Sequence, residues 1–184
     1  MRKVVLLAML VCVAAISAAA QKSTDFSGSW DLDVSKSKLD ERARIESMTM
    51  TVKQTDKDIT VETATKRLPP PADATGGGGG GRGMGGRGGF GGGDGKYTYT
   101  LDGKESKISQ EGPMGAVPVT LKAMVEEGKL RLSQSRTFST QMGEMTMTTK
   151  ETWTLSEDGK TLTMKRDTES PRGTNSTELV FNKK

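Results

Sequence analysis

Hydrophobic and polar residues alternate with period two along most of the chain. Met48, Met50 and Val52 share one face, opposite Thr49, Thr51 and Lys53. Ile59 and Val61 alternate with Thr60 and Glu62, and Tyr97, Tyr99 and Leu101 with Thr98 and Thr100. Val117, Val119, Leu121, Ala123 and Val125 form a long odd-numbered face, which Leu130 and Leu132 continue after a turn at Glu127-Gly128. Met145, Met147, Trp153 and Leu155 oppose Thr146, Thr148, Thr152 and Thr154. Leu162 and Met164 alternate with threonine and lysine, and Leu179 and Phe181 end the pattern. Period two with threonine on the outer face predicts antiparallel sheet, buried on one side and solvated on the other.

Turn signals fall between these runs. Residues 54–58, Asp102-Gly103, Glu127-Gly128 and Asp158-Gly159 all read as tight connections, and Asp-Gly is a strong hairpin signal. Eight to ten strands joined this way make an up-and-down meander. Closing it into a barrel removes exposed edges. The fold class is therefore all-β, an antiparallel meander forming an 8–10-stranded barrel. The helical candidate is Ser37 to Ile45, long enough for two turns that could cap one end.

Two segments do not alternate. Residues 1–20 have a basic head at Arg2-Lys3, an apolar run from Val4 to Ile16 and small residues ending in Ala18-Ala19-Ala20. This is the pattern of a signal peptide, with an apolar run too short to span a bilayer. It predicts a single domain over residues 21–184 and a periplasmic or extracellular location. The second segment is a flexible Pro/Gly-rich loop over residues 68–96. It opens with Pro69-Pro70-Pro71, and residues 76–95 contain fifteen glycines. A glycine tract has nothing to bury and the largest backbone entropy to lose. Gly83-Met84-Gly85-Gly86-Arg87-Gly88 matches a dinucleotide fingerprint, but no strand leads in and no helix follows. Arg82-Gly83 and Arg87-Gly88-Gly89-Phe90 are too sparse for an RNA-binding tract.

Composition narrows the chemistry. The chain has 184 residues, no histidine and one cysteine, Cys12, inside the apolar leader. This rules out imidazole-based triads and His-liganded zinc. Removing the leader also removes Arg2 and Lys3, so the formal charge falls from +4 to +2. No nucleic-acid partner, transmembrane segment, cofactor or metal is expected. Met-x-Met at 48–50 and 145–147 could hold a soft cation, but alternate methionines on strands read as core. Asp31 and Asp33 share a solvated face and do not suggest a hydrolase pair. A non-enzymatic protein is expected.

The opening segment Asp25-Phe26-Ser27-Gly28-Ser29-Trp30-Asp31-Leu32 resembles the first strand of the lipocalin and fatty-acid-binding (calycin) families, in which an aromatic residue and then Gly-x-Trp open the barrel. Tyr99-Thr100-Leu101-Asp102-Gly103-Lys104-Glu105 and Glu151-Thr152-Trp153-Thr154-Leu155 look like exported bacterial proteins described as lipocalin-like. The resemblance implies a barrel with Trp30 plugging its closed end and a small hydrophobic ligand inside. Three features depart from it. The Arg-x-Tyr of the last fatty-acid-binding strand is replaced by Leu179-Val180-Phe181, residues 34–45 are too few for a helix pair, and the second lipocalin signature, Thr-Asp before a strand, is not found around Trp153.

Alternation points Trp30, Met48, Met50, Tyr97, Tyr99, Met147, Trp153 and Phe181 into the barrel. It places Arg136 and Glu151 on the same inward faces, where a charge must be paired, wet or set against a ligand. These ten residues are the candidate ligand-binding set. The competing expectation is an envelope structural or interaction protein with a filled barrel and the glycine loop as its contact surface.

Overall fold

The computed structural model describes residues 24–39, 43–69, 94–112, 115–140, 143–171 and 173–184. The leader and residues 70–93 of the Pro/Gly-rich segment lie outside them, and the loop expected to reach residue 96 ends earlier, since Gly95 and Lys96 already belong to β4. Ten strands form one antiparallel sheet: β1 (Gly28–Leu32), β2 (Ile45–Gln54), β3 (Asp58–Arg67), β4 (Gly95–Thr100), β5 (Asp102–Gly112), β6 (Gly115–Glu126), β7 (Lys129–Thr140), β8 (Gly143–Leu155), β9 (Thr161–Ser170) and β10 (Gly173–Lys183). Their order is β4-β3-β2-β1-β10-β9-β8-β7-β6-β5, so every neighbouring pair except β1 and β10 is consecutive in the chain. Pairing the first strand with the last bends the meander into a nearly closed barrel.

Closure is incomplete between β4 and β5. These strands are the two edges of the sheet and share no hydrogen-bond ladder. Asp102-Gly103 is the reason, and it corrects the hairpin reading of that dipeptide. Leu101 N–H is held by the Lys57 carbonyl, and the register slips between Asp102 and Glu105 with Gly103 at φ 72°. The chain thus leaves one edge and starts the other without pairing back on itself. The edges are not abolished, as simple closure would have it. They meet through side chains. By contrast, Glu127-Gly128 is a two-residue hairpin with both residues at positive φ, 51° and 73°, between the paired Glu126 and Lys129. That is the turn whose twist matches the strands.

The two-turn helix expected over Ser37 to Ile45 is not found in its described part, where Ala43 alone has 3-10 geometry and Ile45 already begins β2. Val34 to Lys36 form a turn and Lys38 bridges Glu178 of β10. The Ser37 hydroxyl accepts from Val180 N–H and donates to the Asp33 carbonyl, so it fills a gap in the sheet ladder. Pairing with β10 satisfies this backbone, which a helix would have drawn away. Residues 40–42 lie outside the described set. No helix among the described residues is long and apolar enough to cross a membrane.

The alternation places the core. Phe26, Trp30, Ile59, Leu121, Leu130, Trp153, Leu162 and Phe181 are all fully buried. They gather at the end where β2–β3, β4–β5, β6–β7 and β8–β9 connect, here termed the base. The N-terminal segment straps across it. Gln54 accepts from Phe26 N–H and donates to the Thr24 carbonyl, and the Trp30 indole donates to the Phe26 carbonyl at 3.1 Å. Phe26 meets Trp153 edge-on at 6.2 Å between centroids. Gly28 has φ 145°, and a Cβ there would come within 2.7 Å of the Lys183 stem, whose ammonium lies 5.1 Å from the Trp30 ring centroid. The aromatic-x-Gly-x-Trp segment is thus a plug, with glycine leaving room for the last strand.

Candidate functional site

Each inward face changes character from base to mouth. On β7 the inward series is Leu130, Leu132, Gln134, Arg136 and Phe138. Its β8 partners in register are Trp153, Glu151, Thr149, Met147 and Met145. On β9 the series is Leu162, Met164, Arg166 and Thr168, opposite Phe181, Leu179, Thr177 and Asn175 of β10. A strand that stays two-faced only needs apolar residues where the interior is dry, so the polar switch marks where water or a ligand reaches.

Above the base lies a polar layer. Arg166 Nε donates to Glu151 Oε1 at 2.7 Å, and the Trp153 indole donates to Glu151 Oε2 at 2.8 Å. Both Glu151 and Arg166 side chains are largely buried, 13% and 11% exposed. The carboxylate is therefore held on both oxygens. Arg136, 8% exposed, donates from Nη2 to the Tyr97 hydroxyl at 2.6 Å, with its guanidinium 5.7 Å from the Tyr97 ring centroid. Tyr97 in turn donates to Gln110 Oε1 of β5 at 2.9 Å. This chain of side chains, β7 to β4 to β5, spans the seam that has no backbone ladder. Burial, followed by the nearby Glu151 charge, pushes the Tyr99 phenol far above its ordinary pKa, so it stays a neutral hydroxyl.

A cavity of about 30 Å³ sits in this layer, lined among others by Met50, Thr63, Tyr97, Tyr99, Gln134, Glu151, Trp153 and Arg166. That is room for a water molecule or two, not for a ligand the size of a drug. The base beneath it is filled by side chains. Toward the mouth the packing loosens. Val117, Phe138, Met145 and Met147 face inward yet are only half-buried. Ile108, on the inward side of β5 opposite Val119, is 39% exposed.

The ten residues singled out from sequence divide accordingly. Met50, Tyr97, Tyr99, Glu151 and Trp153 line the cavity. Arg136 joins them through Tyr97. Trp30, Met48 and Phe181 are buried away from it, Trp30 and Phe181 in the base plug and Met48 on β2. Met147 lies beside Arg136 toward the mouth. Arg166 and Gln110 were missed. Arg166 continues the inward parity of Leu162 and Met164, and following that parity two residues further would have found it. Gln110 carried no signal, because its inward position depends on the register slip in β5.

No family model matches this sequence, and no curated relative does. Among solved structures, the chain is similar to the zebrafish ileal bile acid-binding protein in complex with cholic acid. The TM-score is 0.48 and the identity 15%, covering 86% of this chain and 98% of that one.

Proposed function

We propose that the barrel is a non-catalytic binding protein that takes a small hydrophobic molecule into its mouth half. One observation carries this reading. Apolar side chains at inward positions of β5 to β8, from Ile108 through Val117 and Phe138 to Met145 and Met147, stand half-uncovered, whereas Leu121, Leu130 and Trp153 on the same faces are fully buried toward the base. Apolar surface left wet inside a concavity gains free energy when a ligand covers it. Methionines adapt their shape to varied occupants. The polar layer forms the floor of this pocket.

Titration of the purified protein with the uncharged dye Nile red tests the reading. Saturable binding at one dye per chain is expected, with quenching of Trp153 just beneath the polar layer. Met145→Asp should weaken it about tenfold or more, because a carboxylate at that wall resists covering. Non-saturable uptake, or equal uptake by Met145→Asp, would favour the filled structural barrel instead.

The same proposal places the protein outside the cytoplasm, supported by the basic head, apolar run and Ala-x-Ala end of residues 1–20. N-terminal sequencing of protein recovered from the periplasm or medium should begin at Gln21. An intact Met1 in the cytoplasm would overturn it.

A further inference from the structure

From the polar layer we infer an oxyanion-binding site on β7 at the open seam, centred on Arg136 with Gln134 beside it. The inference rests on the mouth pocket proposed above for access, and names the chemistry its polar end would take.

Three observations converge. Arg136 is more than nine-tenths buried, yet its Nε has no protein partner, and the one acceptor found for its guanidinium is the hydroxyl of Tyr97. Gln134, two residues along the same inward face, has its Nε2 equally buried and unmatched. The charge nearby is not balanced. Among the described residues, the charged side chains held in the polar layer are Arg136, Arg166 and Glu151, a surplus of one positive charge. Glu151 is already engaged by Arg166 and the Trp153 indole.

A buried guanidinium without a counter-charge is costly, and unmade donors add to that cost. A singly charged oxyanion removes both deficits, since its oxygens accept from Arg136 Nε and Gln134 Nε2 and its charge cancels the surplus. The position allows entry. Arg136 lies in register between Val119 and half-buried Met147, and Val119 pairs with exposed Ile108 on the sheet edge. The same oxygens could belong to a free anion or to the head of an amphiphile whose tail lies along the mouth.

The test compares octanesulfonate, 1-octanol, octyltrimethylammonium and methanesulfonate by calorimetric titration on the purified protein. The site requires octanesulfonate to bind about tenfold or more tightly than 1-octanol, and the cationic analogue to bind worst. Arg136→Gln should erase that preference, with octanesulfonate falling to the level of 1-octanol. Arg136→Lys, which keeps the charge and loses Nε, should retain part of it. If Arg136→Gln fails to fold, Gln134→Leu serves in its place, with a smaller loss specific to the sulfonate. Octanol and octanesulfonate binding equally, with both variants neutral, would overturn the oxyanion site and leave the apolar pocket standing. Methanesulfonate binding lost in Arg136→Gln, with no octanol binding, would do the reverse and identify a free anion as the occupant.

Discussion

The two halves of the barrel use the same ten strands and the same alternation, yet they are built to opposite ends. At the base, most inward positions are apolar and buried, and the two tryptophans are completely covered. Toward the mouth, the same faces turn to arginine, glutamine, threonine and half-exposed methionine. A sheet of this kind needs only a fraction of its interior to reach native packing density in order to fold. The base supplies that stability, which frees the mouth to carry unmatched donors and uncovered apolar surface. On the proposed function, the filled barrel describes the base and the ligand-taking barrel the mouth.

The widest separation between the halves should be seen in truncations to alanine. Trp153→Ala removes a fully buried ring that also touches Phe26, and should cost roughly 3–5 kcal/mol. Phe138→Ala, a large side chain on the same sheet face at the mouth, should cost about 1 kcal/mol, because its ring is only half-covered. Urea denaturation measures both. Comparable losses at the two sites would mean that the mouth is packed like the base, and the division proposed here would fail.

Most of this fold was legible in the sequence because the threonine-backed alternation is nearly unbroken. Parity alone then placed Arg136 and Glu151 inside. What parity could not give was pairing. Glu151 looks like the natural counter-ion for Arg136, but it is taken by Arg166 on the neighbouring strand, in direct register. Only cross-strand register decides such a choice, and register follows from turn geometry rather than from local pattern. The seam was hidden for the same reason. Asp102-Gly103 has hairpin composition, yet the glycine at φ 72° sits where the β5 register slips. Ser37 to Ile45 reads as helix locally, and only the free ladder of β10 explains why its described residues do not form one.

At the boundary between the halves, the Glu151–Arg166 pair should give the next largest effect. Glu151→Gln can still accept from the Trp153 indole but leaves Arg166 largely buried without a counter-charge. It should cost about 3 kcal/mol. Replacing both, as in Glu151→Met with Arg166→Leu, should recover most of that loss by making the boundary resemble the base. A double-mutant cycle by thermal or urea unfolding measures the coupling. Additive losses would show that the pair is solvated and that the mouth's water extends one layer deeper.

Gly28→Ala probes the plug itself. The residue adopts φ 145°, and a Cβ meets the Lys183 stem at 2.7 Å. The lysine can swing away, so the remaining cost is backbone strain, about 1–2 kcal/mol. The loss should appear in the urea midpoint with ligand uptake at the far end unchanged. A loss of uptake instead would mean that base and mouth are mechanically coupled.

The smallest effect concerns carboxylates that belong to neither half of the interior. Asp33 accepts first from the Ser35 hydroxyl, then from Asn182 and Lys36, and these hold its pKa well below the usual carboxylate range. Asp102 and Asp158 are lowered too, chiefly by the Lys104 backbone N–H and the Ser156 hydroxyl respectively. Asp102 and Asp158 are solvent-exposed, whereas the Asp33 side chain is only 15% exposed. A folded pKa below the unfolded one gives stability that is complete above the unfolded value, about 4, and is lost as pH falls through the folded value. The urea midpoint should therefore stay level from about pH 5 to 8, a range in which histidine would titrate and this chain has none. It should decline below about pH 4, and Asp33→Asn should flatten part of that decline. A decline that begins nearer neutrality, or one that Asp33→Asn leaves unchanged, would show that these carboxylates are not the acid-sensitive element.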